Sequence, residues 1–230
     1  MESKLIKTTD KLKKEKKLKK KFKLVVILLL LLLLILYFVM GIVYNNGNFS
    51  ITLDKNLYLD NGIIIYDDFQ YKVYRTELLA KAPETFNSIK EIWLPEEIKD
   101  YEGGSNNGDS YLVYTFYIEN TGDEVAGYTR EVIIDDVIKN VDAAIRVRIY
   151  KNGEYLTYAK SSSEGEVEPN TVPFVDDKII MSEDVTNFKP NDIDKYTIVL
   201  WIEGEDPDCT DNILGGEFKV RMNFKPIDAE

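Results

Sequence analysis

The sequence predicts a mainly β protein: an antiparallel β-sandwich of the jelly-roll or immunoglobulin-like kind, behind a single N-terminal transmembrane helix. Three observations carry this. An unbroken uncharged run fills Leu24 to Tyr44, several later segments alternate apolar and polar side chains with a period of two, and Asn152-Gly153 joins two of those segments as a tight hairpin turn.

The chain has 230 residues, with 29 Lys plus Arg, 40 Asp plus Glu, one Cys and no His. The formal charge of -11 averages two opposite segments. Residues 1–23 hold eleven lysines (Lys4, Lys7, Lys11, Lys13, Lys14, Lys16, Lys17, Lys19, Lys20, Lys21 and Lys23) against Glu2, Asp10 and Glu15, a balance of +8. The remainder keeps 18 basic and 37 acidic residues, a balance of -19. Leu24–Tyr44 is 21 residues long. At about 1.5 Å per residue it matches a hydrocarbon layer roughly 30 Å thick. It lacks the polar stripe of a core helix. It also exceeds the apolar region of a cleaved signal peptide, and the NNGNFS that follows has no small-residue cleavage pattern, so a retained anchor is expected. The lysines place the N-terminus in the cytoplasm and the rest outside the cell membrane. Tyr37 and Tyr44 are candidates for interfacial anchors. The expected organisation is a basic cytoplasmic tail over 1–23, the helix over 24–44, a short linker and first strand region over 45–55, and an extracellular β-sandwich over 56–230. Asn45–Asn48 reads as a spacer, and Glu102–Ser110 as a surface loop or a subdomain seam.

Along the sandwich, Leu112, Tyr114, Phe116 and Ile118 alternate with Val113, Thr115 and Tyr117. Both faces are apolar or aromatic, which describes a central strand. Ile145, Val147 and Ile149 alternate with Arg146 and Arg148. The Asn152-Gly153 turn follows, and Tyr155, Thr157 and Ala159 return. Ile198, Leu200 and Ile202 oppose Thr197, Val199 and Trp201. Phe218, Val220, Met222 and Phe224 point inward against Lys219, Arg221 and Asn223. Asp135–Ile145 and the ELLAKAPETF stretch offer short helical pieces, the second broken at Pro83.

The missing histidines exclude a histidine triad, a histidine-ligated zinc site and a histidine proton switch. There is no G-x-S-x-G, P-loop or H-E-x-x-H motif, so no catalytic residue is named. Cys209 has no partner for an internal disulfide and stands near Asp208 and Asp211, which disfavours its thiolate; an inert thiol is expected. The densest constellation is Trp201–Gly216. Here Glu203, Glu205, Asp206, Asp208 and Asp211 supply hard oxygen ligands on a turn-rich stretch, a candidate calcium site whose spacing departs from an EF-hand loop. No other cofactor is expected. The expected partners are membrane lipid, through the helix and the lysine tail, and a cell-wall polymer or protein, through the sandwich. No nucleic acid is expected.

YTFYIENTG, AIRVRIYKNGEYLTYAK and DKYTIVLWIEGEDPDCTDNILGGEFKVRMNF resemble membrane-anchored surface proteins of Gram-positive bacteria over Tyr111 to Phe224. The basic N-terminus, single apolar segment and strand-rich region with an NTG turn are more distantly similar to the TasA and camelysin group, jelly-roll proteins of the biofilm matrix and cell surface. That resemblance implies a structural or matrix role. Camelysin-type proteins are described as metalloproteases, but with no histidine here no catalytic residue carries over. The matrix-forming relatives are processed and released, whereas this chain keeps its apolar segment without a clear cleavage site. The expected function is a single-pass, membrane-anchored cell-surface protein with an acidic binding or structural module. The alternatives are a surface hydrolase using carboxylates and an accessory subunit of a membrane complex.

Overall fold

A computed structural model describes residues 2–44, 49–83, 86–162 and 164–227, with side chains omitted for 2–12 and 40–44. The Asn45–Asn48 spacer and the Tyr44 side chain lie outside the described residues. The chain divides into two units, Met1–Asn46 and Gly47–Glu230.

The first unit is one helix, α1 (Glu2–Tyr44). It contains the one stretch among the described residues that is long and apolar enough to cross a membrane, with a mean hydropathy of 3.1. From Leu24 to Val39 every large apolar side chain is between 41% and 77% exposed. The helix runs back through the lysines without a break, since no Gly or Pro interrupts it before Gly41.

The second unit is the β-sandwich that the alternation predicts. Its strands are β1 (Phe49–Leu53), β2 (Ile63–Tyr66), β3 (Glu77–Ala80), β4 (Gly104–Ser105), β5 (Tyr111–Asn120) and β6 (Ala126–Ile138). They continue as β7 (Ile145–Lys151), β8 (Glu154–Ala159), β9 (Val172–Pro173), β10 (Ile179–Phe188), β11 (Ile193–Ile202) and β12 (Glu217–Lys225). One sheet has the order β10-β6-β12-β1-β3 and the other β2-β5-β11-β7-β8-β9, with β4 beside β5. Pairing is antiparallel except for β1 with β12 and β8 with β9. β1 lies between β12 and β3, so the first strand is an interior member of its sheet. A short helix, α2 (Lys55–Asn61), follows it. The Asp54 side chain accepts from the Asn56 N–H at its start, and Gly62 ends it at φ 67. A Cβ at Gly62 would also meet the Gly122 backbone at 2.7 Å, so only glycine fits.

The main core lies between the sheets. Phe116, Tyr128, Tyr196 and Phe224 form an aromatic cluster with ring centroids 5.5 to 5.8 Å apart. Val220, Met222 and Phe224 point into it from β12. The hairpin forms as read: Asn152 (φ 53) and Gly153 (φ 92) take the left-handed conformations of a type I′ turn between β7 and β8.

Two short-helix readings are corrected. Asp135–Ile138 is the end of β6, paired with β12 as far as Ile138 opposite Glu217, and only Val141–Ala143 winds as a 3₁₀ turn. Lys139 and Asn140, both at positive φ, interrupt the right-handed path a helix needs. Glu77–Ala80 is the edge strand β3, hydrogen-bonded to β1, because the sheet offers its backbone more partners than one helical turn would. Glu102–Ser110 contributes β4 to the second sheet and is no seam.

Buried phenols make this core sensitive to alkali. The Tyr128 hydroxyl donates to Asp194 Oδ2 at 2.7 Å and lies 3.0 Å from the Tyr196 hydroxyl. Burial pushes Tyr196 up to about 12. Burial, with Glu183 next, pushes Tyr158 up to about 12 as well. The folded phenols therefore hold their protons after unfolded ones, at about 10, have lost them. Stability is intact below pH 10 or so and falls through the window up to about 12. In an alkaline titration the exposed tyrosines should ionise first and the buried set only together with loss of the fold. A single smooth phenolate transition with the circular dichroism unchanged would contradict this packing.

Candidate binding surface

The outer face of the larger sheet carries a second, smaller core. Val113, Tyr150, Val199 and Trp201 project from β5, β7 and β11 and are covered by Leu94 and Ile98. Both covering residues come from residues 89–101, which cross this face as a strap with 3₁₀ turns at Glu91–Trp93 and Glu96–Asp100. This explains why β5 and β11 are apolar on both sides. One end of the strap is fastened by backbone. Ile89 N–H donates to Ile202 O at 2.9 Å, and Gly204 N–H to Ile89 O at 2.8 Å.

Side chains complete the fastening, and the acids singled out in the sequence take part. Glu203 is buried and accepts three N–H groups: the Trp201 indole at 3.0 Å, the Glu91 backbone at 3.0 Å and the Glu205 backbone at 3.1 Å. Asp206 is buried beneath the loop, accepting from the Arg146 guanidinium at 2.6 Å and from the Asp208 N–H at 2.7 Å. Glu205 is at the surface, 2.5 Å from Lys90 Nζ. Asp208 is half-buried, and exposed Asp211 opens the 3₁₀ turn Asp211–Ile213. The five carboxylates thus point in different directions, two of them into the protein. Among the described residues no group of three or more acids or cysteines is placed to hold a metal ion. Cys209 is half-buried and without a disulfide.

The basic side chains on this face were not legible as a site. Arg146 and Arg148 alternate with Ile145, Val147 and Ile149, which ordinarily places charges in water, yet both guanidiniums are buried. Arg146 is shared between Asp206 and Glu168, the latter at 3.2 Å. Burial, with the Asp206 charge next, raises the Glu168 carboxyl above its ordinary value despite Arg146. Arg148 donates to Thr157 Oγ1 at 2.9 Å and pairs with Glu91 on the strap. Its guanidinium lies 4.3 Å from the Tyr155 ring centroid and 5.2 Å from that of Trp201. The available signal was the flanking strands: a strand hydrogen-bonded on both sides has few ways to leave its second face bare.

This rigid framework leaves apolar side chains in water. Ile92 is 82% exposed and Trp93 60%, both in the 3₁₀ turn that begins at Glu91, while Tyr155 is 53% exposed over Arg148. Large aromatics held by a fixed backbone are the residue types that anchor interfaces.

No protein-family model and no curated protein matches the chain. Among solved structures it is similar to a β-glucosidase from Kluyveromyces marxianus. The selenomethionine-labelled form is 14% identical over 52% of this chain, and the glucose complex 12% identical over 72%, each with a TM-score of 0.25. The matched stretches amount to 12% and 15% of those enzymes' chains. A likeness at that level carries no argument about fold or activity.

Proposed function

We propose that this is a single-pass membrane protein with its N-terminus in the cytoplasm, displaying an acidic β-sandwich outside as a binding module. Ile92, Trp93 and Tyr155 form its partner-facing surface. The observation that carries the reading is the exposure of Ile92 and Trp93 on a strap fixed to the sandwich by the Glu91–Arg148 pair and the Glu203 hydrogen bonds. A segment fastened this firmly would ordinarily turn its largest apolar side chains inward, and a partner supplies the missing cover. The lysine-flanked apolar helix supports the topology. The Gram-positive surface proteins that the sandwich resembles support its display at the cell surface.

Two measurements test this. In a Cys209→Ser background, Glu154→Cys should react with a membrane-impermeant maleimide on intact cells, and Lys14→Cys only after lysis; the reverse pattern overturns the topology. A photo-crosslinking residue at position 93 should capture a cell-surface component that the same residue at position 225, on β12, does not. Equal capture from both positions would remove the strap as the binding face.

A further inference from the structure

We infer that the lysine-bearing half of α1 is a docking site for an anionic lipid leaflet, an inference that rests on α1 spanning the membrane. Between Lys13 and Lys23 the helix carries eight lysines and one acid, Glu15, and every one of these side chains is exposed. Lys13 and Lys17, Lys16 and Lys20, Lys17 and Lys21, and Lys19 and Lys23 stand four residues apart. In a helix such like-charged neighbours repel one another. Glu15 offsets little of this, so negative charge from outside the chain stabilises the helical form.

The position of that charge follows from the continuity of α1. Lys23 directly precedes the apolar run, and nothing in the helix allows a hinge between them. Lys19 to Lys23 therefore stand at headgroup depth. Lys16 stands about 10 Å farther along the axis, close to the Debye length in physiological salt and within reach of a lysine stem bending back. Leu18 and Phe22 add a second observation. They are exposed large apolar side chains one turn apart on the same face, among lysines. A leaflet accommodates both features, taking Phe22, two residues from the apolar run, at the acyl boundary and Leu18 among the headgroups, with the lysines on the phosphates. A nucleic acid would satisfy the lysines but leave Leu18 and Phe22 in water.

The test uses the full chain in nanodiscs, which expose both faces and so make it independent of orientation in the cell. Discs contain phosphatidylcholine alone or with about a quarter phosphatidylglycerol, and trypsin cleavage within Lys13–Lys23 is followed by mass spectrometry. Cleavage should be about tenfold slower in the anionic discs at low salt, and the difference should vanish near 1 M salt, where the Debye length is about 3 Å. Changing Lys16, Lys17, Lys20 and Lys21 together to Gln should abolish the lipid dependence at the remaining lysines. Changing Leu18 and Phe22 to Ser should weaken protection in anionic discs. Equal rates in both discs overturn the inference. So does RNA protecting the segment in phosphatidylcholine discs as well as phosphatidylglycerol does, which would make nucleic acid the partner. A chain that fails to co-elute with discs overturns the spanning reading and this inference with it, an outcome distinct from equal rates in loaded discs.

Discussion

Replacing Asp206 with alanine should lower the stability of the sandwich by about 3–5 kcal/mol, the usual cost of breaking a buried ion pair from one side. Arg146 projects from β7, which is bonded to β11 and β8 on its two sides, so its guanidinium cannot swing to water without disturbing the sheet. Asp206 contacts it at 2.6 Å from a fully buried position, whereas Glu168 reaches it at 3.2 Å. Removing Asp206 leaves a buried cation with the weaker partner and deprives the Asp208 N–H of its acceptor, which loosens the turn. Asp206→Asn keeps an oxygen for Asp208 and should cost less. Arg146→Met combined with Asp206→Leu should recover most of the loss, since replacing a whole buried pair with apolar side chains is often neutral. Denaturant unfolding of the full chain in detergent reads these differences through tryptophan emission, both tryptophans being in the sandwich. Equal stability of wild type and Asp206→Ala would show that Arg146 reaches solvent.

The fold was legible where both faces of a strand are apolar. β5 and β11 show it directly, and β12 was legible by strict alternation, with Val220, Met222 and Phe224 inward against Lys219, Arg221 and Asn223. The Asn152-Gly153 turn was legible because few dipeptides adopt two left-handed conformations in succession. Two strands read as helix were obscured for a shared reason. The four residues of β3 and the last four of β6 are too short for a period of 2 to be told from one of 3.6, and their partners, β1 and β12, lie far away in sequence. For the acidic loop, the residue types pointed to oxygen ligands, but the fold turns two of the five carboxylates inward. Glu203 and Asp206 are consumed by three N–H groups and a guanidinium. That arrangement depends on Arg146 and Trp201, directly opposite each other in the register of β7 and β11, a pairing that only the sheet creates. The strap was illegible because its anchors, Leu94 and Ile98, stand four apart as on a helix, while Pro95 splits the segment into two 3₁₀ turns and the neighbouring Ile92 and Trp93 face water.

Trp201→Ala should cost a further amount of the same order, about 3–5 kcal/mol, and its effect should be concentrated in the strap. The indole is fully buried and is the largest side chain of the smaller core, between the sheet and Leu94 and Ile98. Its N–H donates to the same Glu203 oxygen that holds the Glu91 backbone, and the Arg148 guanidinium lies over its ring. Truncation therefore opens a cavity under the strap and removes the indole N–H that orients the Glu203 carboxylate toward the Glu91 backbone. Trp201→Phe keeps much of the volume but loses the N–H, so it should cost less, about 1–2 kcal/mol. Phe224→Ala supplies the contrast: it empties part of the core between the sheets, lowers global stability by a similar amount, and touches nothing in the strap. Limited proteolysis below the unfolding transition distinguishes the two. Trp201→Ala should be cut within residues 89–101 while the rest of the sandwich persists, and Phe224→Ala should resist there until it unfolds as a whole. If both variants open only by global unfolding, the strap is an inseparable part of the main core. In that case Trp201 holds the strap only as part of the whole sandwich, and the smaller core has no stability of its own.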